Sequence, residues 1–112
     1  MIEQTPQLAI GKDYIFLPNN RTYRYIGKIG TFEEHTFIRQ IEVTFGGKGR
    51  AIEMQRITNE SGLHQDAERP DAFSGRGPTD YFHEDGRYSG KYEQDKFKEL
   101  SAMLSESTGG NR

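Results

Sequence analysis

Alternating apolar and polar residues fill the first half of the chain, and this pattern predicts short β-strands. The clearest run covers residues 36–45. Its apolar face consists of Phe37, Ile41, Val43 and Phe45, and its polar face of Thr36, Gln40, Glu42 and Thr44. Ile38 and Arg39 interrupt the alternation, so we expect a β-bulge or a strand end at that point. Further strands are predicted at residues 13–17, 21–26 and 50–57.

Short segments of turn-forming residues join these strands. Pro-Asn-Asn at residues 18–20 and Gly-Gly-Lys-Gly at residues 46–49 predict tight hairpins, and residues 27–34 form a longer connection between them. Two tight hairpins on either side of a longer loop, over residues 10–58, resemble SH3-like and Tudor-like barrels in strand length and spacing. The resemblance implies a small antiparallel SH3-like barrel or a curled meander.

A helical pattern follows at residues 91–106. Its apolar positions recur at helical spacing and form one stripe, which consists of Phe97, Leu100, Met103 and Leu104. Ser89 is a candidate N-cap. We expect this C-terminal helix to lie on the β-core of residues 10–58, and residues 107–112 to form a frayed tail.

Residues 58–90 form a long polar excursion between the β-core and the helix. Leu63 is the only Leu, Ile or Val between Thr58 and Gly90, so this segment cannot build a core of its own. It must pack on the first half or stay mobile. We expect that removing residues 62–77 leaves a folded β-core, and we assign residues 1–112 to a single, mainly β domain of the α+β class.

Composition narrows the class of protein further. Hydrophobic residues make up only 32% of the chain, so the seven Phe and six Tyr must supply much of the core. The chain has no cysteine, which excludes disulfides, thiolate metal sites and a cysteine nucleophile. It also lacks a signal-peptide pattern and a run of ~20 apolar residues, so we expect a cytoplasmic protein that does not engage a membrane.

The densest cluster of reactive side chains lies around His83 and Glu84, with His64 upstream. A histidine beside carboxylates could bind a metal or act as a general base. Neighbouring strand residues face opposite sides, however, and Glu-Asp-Gly is an ordinary turn sequence. We therefore predict no catalytic residue, no metal ligand and no cofactor, and keep a small hydrolase or metal-dependent enzyme around His64 and His83 as an alternative.

Basic and aromatic residues alternate along the predicted first hairpin, from Arg21 to Lys28. Such a pattern could stack bases and neutralise phosphates, or could form a protein interface. The competing interpretation, which we favour, places Tyr23 and Tyr25 in the core with Arg24 outside.

Single aromatic residues also punctuate the polar excursion, at Phe73, Tyr81 and Phe82, and Arg76 lies between them. Isolated aromatics in polar sequence can dock into a partner's pocket. The alternative is that they fold back and cover the open end of the β-core.

The pattern as a whole favours a small non-enzymatic binding protein that engages another macromolecule, most readily a protein, through its sheet edge and its long loop. An accessory, inhibitory or assembly factor of the kind that phages and plasmids encode would have these properties. A nucleic-acid-binding module that uses the basic and aromatic hairpin, with Arg50, is the alternative. The predicted partner-binding residues are Arg21, Tyr23, Arg24, Tyr25, Lys28, Phe73, Arg76, Tyr81 and Phe82.

Overall fold

A computed structural model describes residues 8–29, 34–44, 49–58, 62–85 and 90–105. Its strands are β1 (Asp13–Phe16), β2 (Arg21–Ile29), β3 (Glu34–Val43), β4 (Gly49–Ile57), β5 (His64–Gln65), β6 (Ala72–Ser74) and β7 (Thr79–His83), and its helix is α1 (Lys91–Ser105). Strands β2 and β3 take up much of the connection that was expected at residues 27–34. Ser89, the frayed tail and the hairpin loop with Phe45 lie outside the described residues.

The strands form one mixed sheet in the order β5-β6-β1-β2-β3-β4-β7. Strands β1 to β4 are a meander of antiparallel neighbours, β7 pairs antiparallel with the outer side of β4, and β6 pairs parallel with β1. The sheet is not closed into the barrel that the strand spacing predicted, because β5 and β7 occupy its two ends without pairing to each other. A mainly β fold with one C-terminal helix is confirmed.

Strand β3 has both faces covered, which explains the interrupted alternation in its sequence. Phe37 and Ile38 are each 0% exposed, but they belong to separate cores on opposite faces of the sheet. Strand β3 continues through Ile38 and Arg39 and its pairing with β4 is uninterrupted, so the expectation of a bulge or a strand end at that point is wrong. The irregularity lies in β2 instead, next to Gly27, whose φ of 103° suits a residue without a side chain.

An aromatic core covers one face of the sheet. The Phe73 ring of β6 stacks on Phe37 of β3, with ring centroids 4.1 Å apart, and on Phe16 of β1 at 4.9 Å. In a flat sheet, β6 and β3 would be about 14 Å apart, at ~4.8 Å per strand, so the sheet curls to bring them together. The other members of this core are Tyr14, Tyr23, Tyr25, Ile57 and Leu63.

The polar excursion therefore supplies part of the core. It contributes three buried residues, Leu63, Ala72 and Phe73, and it contains β5, β6 and β7. The structure contradicts the expectation that residues 62–77 add little to the core. That expectation rested on the lack of aliphatic residues, whereas the aromatic ring of Phe73 is fully buried in the core. Glycine also allows the close approach to β4, since a Cβ built on Gly77 would lie 1.6 Å from the Arg56 carbonyl oxygen.

Helix α1 covers the other face of the sheet. Phe97 and Leu100 are buried against Ile38, Ile52 and Met54, as the apolar stripe predicted. The helix begins beside β7, where Glu93 contacts His83, and it ends over β2, where Arg24 donates to the carbonyl of Leu104. Across the part of the chain that the structure describes, no helix has the length and apolar character needed to cross a membrane.

Candidate binding edge at strand β7

Strand β7 forms one end of the sheet, and among the described strands only β4, on its inner side, pairs with it. At one end of the β4–β7 ladder, Arg56 N donates to Pro78 O at 3.0 Å. At the other end, Glu84 N donates to Arg50 O at 2.9 Å. Hydrogen-bonded residues of an antiparallel pair alternate with residues whose peptide groups face away, so the even-numbered residues of β7 are the ones that bond to β4.

The odd-numbered residues Thr79, Tyr81 and His83 direct their backbone N–H and C=O groups outward. His83 N donates to Glu93 Oε2 at 2.6 Å, and the ring Nδ1 of His83 lies 2.7 Å from the same oxygen. The outward backbone groups of Thr79 and Tyr81 bond to no other described residue. The first turn of α1 therefore closes one end of this edge, and the stretch from residue 79 to 81 stays open.

The side chains of β7 give its two faces different characters. Tyr81 is 48% exposed and lies on the same face as the aromatic core. Phe82, on the opposite face, is partly buried and packs against the core between the sheet and helix α1. An exposed tyrosine beside open peptide groups offers both apolar contact and hydrogen bonding to an approaching chain.

Acidic side chains outnumber basic ones around the open edge. Asp80 Oδ2 lies 2.7 Å from the Arg56 guanidinium, which also contacts Glu34 Oε1 at 3.2 Å. The carboxylates of Asp80 and Glu34 thus share one guanidinium, so this cluster carries one more negative than positive charge.

An exposed ion pair follows β7. Arg50 forms a two-pronged contact with the carboxylate of Glu84. That hydrogen bonding, assisted by the charge of Arg50, holds the pKa of Glu84 below its usual value, because it favours the ionised carboxylate. Glu84 is consequently ionised at neutral pH, and Arg50 is already paired.

A buried polar network supports the strand to which β7 is paired. Glu53 is only 5% exposed and lies opposite Tyr81 in the ladder. Its carboxylate accepts from Arg39 Nε at 2.9 Å and from the Tyr23 hydroxyl at 2.7 Å. Burial, followed by the hydrogen bond to Glu53, raises the pKa of Tyr23. These contacts fix β2, β3 and β4 in register behind the open edge.

Comparison of the chain with known protein families, with curated proteins and with solved structures found no match.

Three of the nine residues predicted to bind a partner lie in the core. Tyr23 is 1% exposed, Tyr25 is 5% exposed and Phe73 is 0% exposed. For the two tyrosines, the structure agrees with the favoured interpretation, which placed them on the buried face of β2. Phe73 folds back onto the sheet, so its ring is not presented to a partner in this conformation.

The basic residues of the first hairpin do not form one patch. Arg21 occupies an odd-numbered position of β2, on the same face as the core tyrosines. Arg24 lies on the opposite face, which the helix covers, and binds Asp13 at 2.8 Å and the Leu104 carbonyl at 3.0 Å. Lys28 lies beyond the bulge, towards the other end of β2, and Arg76 is exposed in the segment between β6 and β7. A cavity of about 350 Å³ lies beside Arg24, at the C-terminal end of α1.

The two histidines of the alternative enzymatic site lie on different strands. His64 is in β5 and His83 is in β7, the two terminal strands of the sheet. The imidazole of His83 is engaged by Glu93. Within the described ranges, no three histidine or carboxylate side chains are grouped closely enough to hold a metal ion.

Sequence reasoning found Tyr81 and Phe82 but missed Thr79, Asp80 and Glu93. The open backbone groups depend on which side of β7 pairs with β4, and a strand's own sequence does not encode that side. The signal that was present is the alternation of Thr79, Tyr81 and His83, which marks one face of a five-residue strand within the polar excursion.

Proposed function

We propose that this chain is a non-enzymatic binding protein that adds an extended segment of another protein to the open edge of β7. The observation that carries the proposal is the pair of outward-facing peptide units, at Thr79 and Tyr81, beside an exposed tyrosine ring. Addition of a strand to a sheet edge is a general mode of peptide recognition. It requires no catalytic group, cofactor or metal.

The backbone alone does not account for stable binding. Four hydrogen bonds at Thr79 and Tyr81 contribute about 2–6 kcal/mol in total, at ~0.5–1.5 kcal/mol each. The loss of translational and rotational freedom on association costs at least ~4 kcal/mol. Side-chain contacts must therefore supply the remainder, and exposed Tyr81 is the residue best placed to do so, since tyrosines are frequent interface anchors. An accessory, inhibitory or assembly role fits such a short recognition strand.

The decisive variant is Tyr81→Pro. Proline removes the outward N–H of residue 81 without removing a hydrogen bond to β4, and edge strands tolerate proline where the N–H faces solvent. Tyr81→Thr is the matched control, because it removes the ring and retains the N–H. Proteins captured from the native cell extract should include a partner that binds the wild type, binds Tyr81→Thr more weakly and does not bind Tyr81→Pro.

Amide hydrogen exchange, measured on the free protein and on its complex with a captured partner, tests the same geometry. We expect the Tyr81 amide to exchange rapidly in the free protein and to become protected in the complex, whereas the Phe82 amide is protected in both. A captured partner that still binds Tyr81→Pro with wild-type affinity would contradict the proposal. So would a partner that is lost when the extract is treated with nuclease.

The nucleic-acid alternative gains no support from the structure. Of its six residues, Tyr23 and Tyr25 are buried, and Arg24 and Arg50 are paired with carboxylates. An open base-stacking platform needs exposed rings and unneutralised cations along one surface.

A further inference from the structure

We infer that the β7 edge disfavours pairing with a second copy of itself and selects a basic extended segment of a different protein, with Lys or Arg opposite Asp80. This inference rests on the proposed strand addition. It is carried by the alternation of peptide groups along β7, by the contact between Glu93 and His83, and by the negative charge around Asp80.

Pairing of two β7 strands about a twofold axis can occur in few registers. A register centred on Asp80 uses all the open groups of residues 79 and 81, but it places Asp80 directly opposite its own copy. On this side of β7, residue 80 is in a non-hydrogen-bonded pair, where Cα atoms are only ~4.5 Å apart. Like charges at that distance are destabilising.

The neighbouring registers meet backbone groups that are already occupied. A register centred on Tyr81 pairs Thr79 with His83, whose N–H is bonded to Glu93. A register centred on Thr79 pairs Tyr81 with Gly77, whose carbonyl accepts from Gln55 Nε2 at 3.1 Å. Antiparallel self-association through β7 is thus opposed in each of the three registers.

The negative charge of Asp80, which opposes self-pairing, attracts a basic partner. An incoming residue opposite Asp80 comes close to a carboxylate whose side chain is 42% exposed. Arg56, the cation bonded to Asp80, is shared with Glu34, so one guanidinium faces two carboxylates. A Lys or Arg at this position therefore meets uncompensated negative charge, and the segment's adjacent residues pair with Thr79 and Tyr81.

The partner's preference can be read from a displayed library of random decapeptides. With the wild type as bait, enriched peptides should carry Lys or Arg at one fixed position within a run of strand-forming residues. With Asp80→Lys as bait, the same position should switch to Asp or Glu. Asp80→Asn, which leaves the partner position without a charge to meet, should weaken an individual basic peptide by about 3-fold, with a smaller loss at high salt.

The outcomes separate the two proposals. If Asp80→Lys selects the same basic peptides as the wild type, the preference does not come from Asp80 and the inference fails. If Tyr81→Pro also enriches the wild-type peptides, or if no bait enriches any peptide, strand addition at β7 fails as well. Melting temperatures of all variants show whether each bait is folded.

Sedimentation velocity tests the exclusion of a second copy. We expect no wild-type dimer that depends on β7, and we expect Asp80→Thr combined with Glu93→Ala to form a dimer that Tyr81→Pro abolishes. A wild-type dimer that is lost in Tyr81→Pro would overturn the inference, because the partner would then be a second copy. A combined variant that remains monomeric would show that Asp80 and Glu93 are not what prevents β7 from pairing with a second copy.

Discussion

Arg39 and Arg50 both pair with a glutamate, but their surroundings make the two pairs unequal. The side chain of Glu53 that binds Arg39 is 7% exposed, whereas the Arg50 and Glu84 side chains are 48% and 41% exposed. Removing one member of a buried pair leaves an uncompensated charge in a poorly solvated site. An exposed pair contributes only ~0–1 kcal/mol, because water already solvates both partners.

We therefore expect Arg39→Met to lower the free energy of unfolding by about 3 kcal/mol, and the matched Arg50→Met to leave it nearly unchanged. Urea denaturation monitored by circular dichroism measures both. Equal losses would mean that the Glu53 site is as well solvated as the surface pair.

The sequence predicted residue positions correctly in strands with one covered face and wrongly in a strand with two covered faces. Tyr23 and Tyr25 were assigned correctly because β2 alternates a core face with a more polar one. Ile38 was wrongly interpreted as an interruption, because the helix covers the second face of β3. A strand with two buried faces has apolar residues on both faces and therefore shows no alternation of apolar and polar residues.

Strand β6 has three residues, yet it closes the aromatic core. Its Phe73 stacks on Phe37 and Phe16, and the backbone N–H of Leu17 donates to the Phe73 carbonyl at 2.9 Å. Sequence patterns predicted β1 to β4 and α1, because each has a period and flanking turn or cap residues. Strands β5 and β6 were not predicted because two and three residues are too few to display a period, and β7 was not predicted because its five alternating residues lie within a long polar segment.

Phe73→Ala should destabilise the protein by about 3–5 kcal/mol, since it removes a fully buried ring from a stacked core. Phe82→Ala is the control, and we expect a smaller loss because Phe82 is only partly buried. Thermal melting with calorimetry compares the two. A loss for Phe73→Ala as small as that for Phe82→Ala would restore the view that the excursion is dispensable.

The molecule as a whole has two cores separated by one sheet, and the aromatic core contains ionisable groups. Burial raises the pKa of Tyr23 and Tyr25, with the hydrogen bond to Glu53 adding to the effect at Tyr23. A phenol whose pKa is higher in the folded state is ionised first in the unfolded chain as the pH rises. Each tyrosine therefore contributes stability below pH ~10 that is lost as the pH rises towards the folded-state pKa.

We expect the free energy of unfolding to be insensitive to these two groups between pH 7 and about pH 9 and to fall above pH ~10. Absorbance of the phenolate should show that Tyr23 and Tyr25 ionise at a higher pH than free tyrosine, because the pKa of each is raised. Tyr25→Phe should remove one of the late transitions. If all tyrosines ionise together while the near-ultraviolet circular dichroism remains native, the aromatic core is open to water.

The parallel pairing of β1 with β6 sets the order of events while the chain is being synthesised. The four-stranded meander is complete once Ile57 has emerged, but the ring that stacks on Phe37 belongs to residue 73. At ~5–20 residues per second, the aromatic face waits about 1–3 s for that ring. During this interval the rings of Phe16 and Phe37 lack the ring that stacks on them in the folded protein, and we expect chaperones that bind exposed aromatic surface to compete for them.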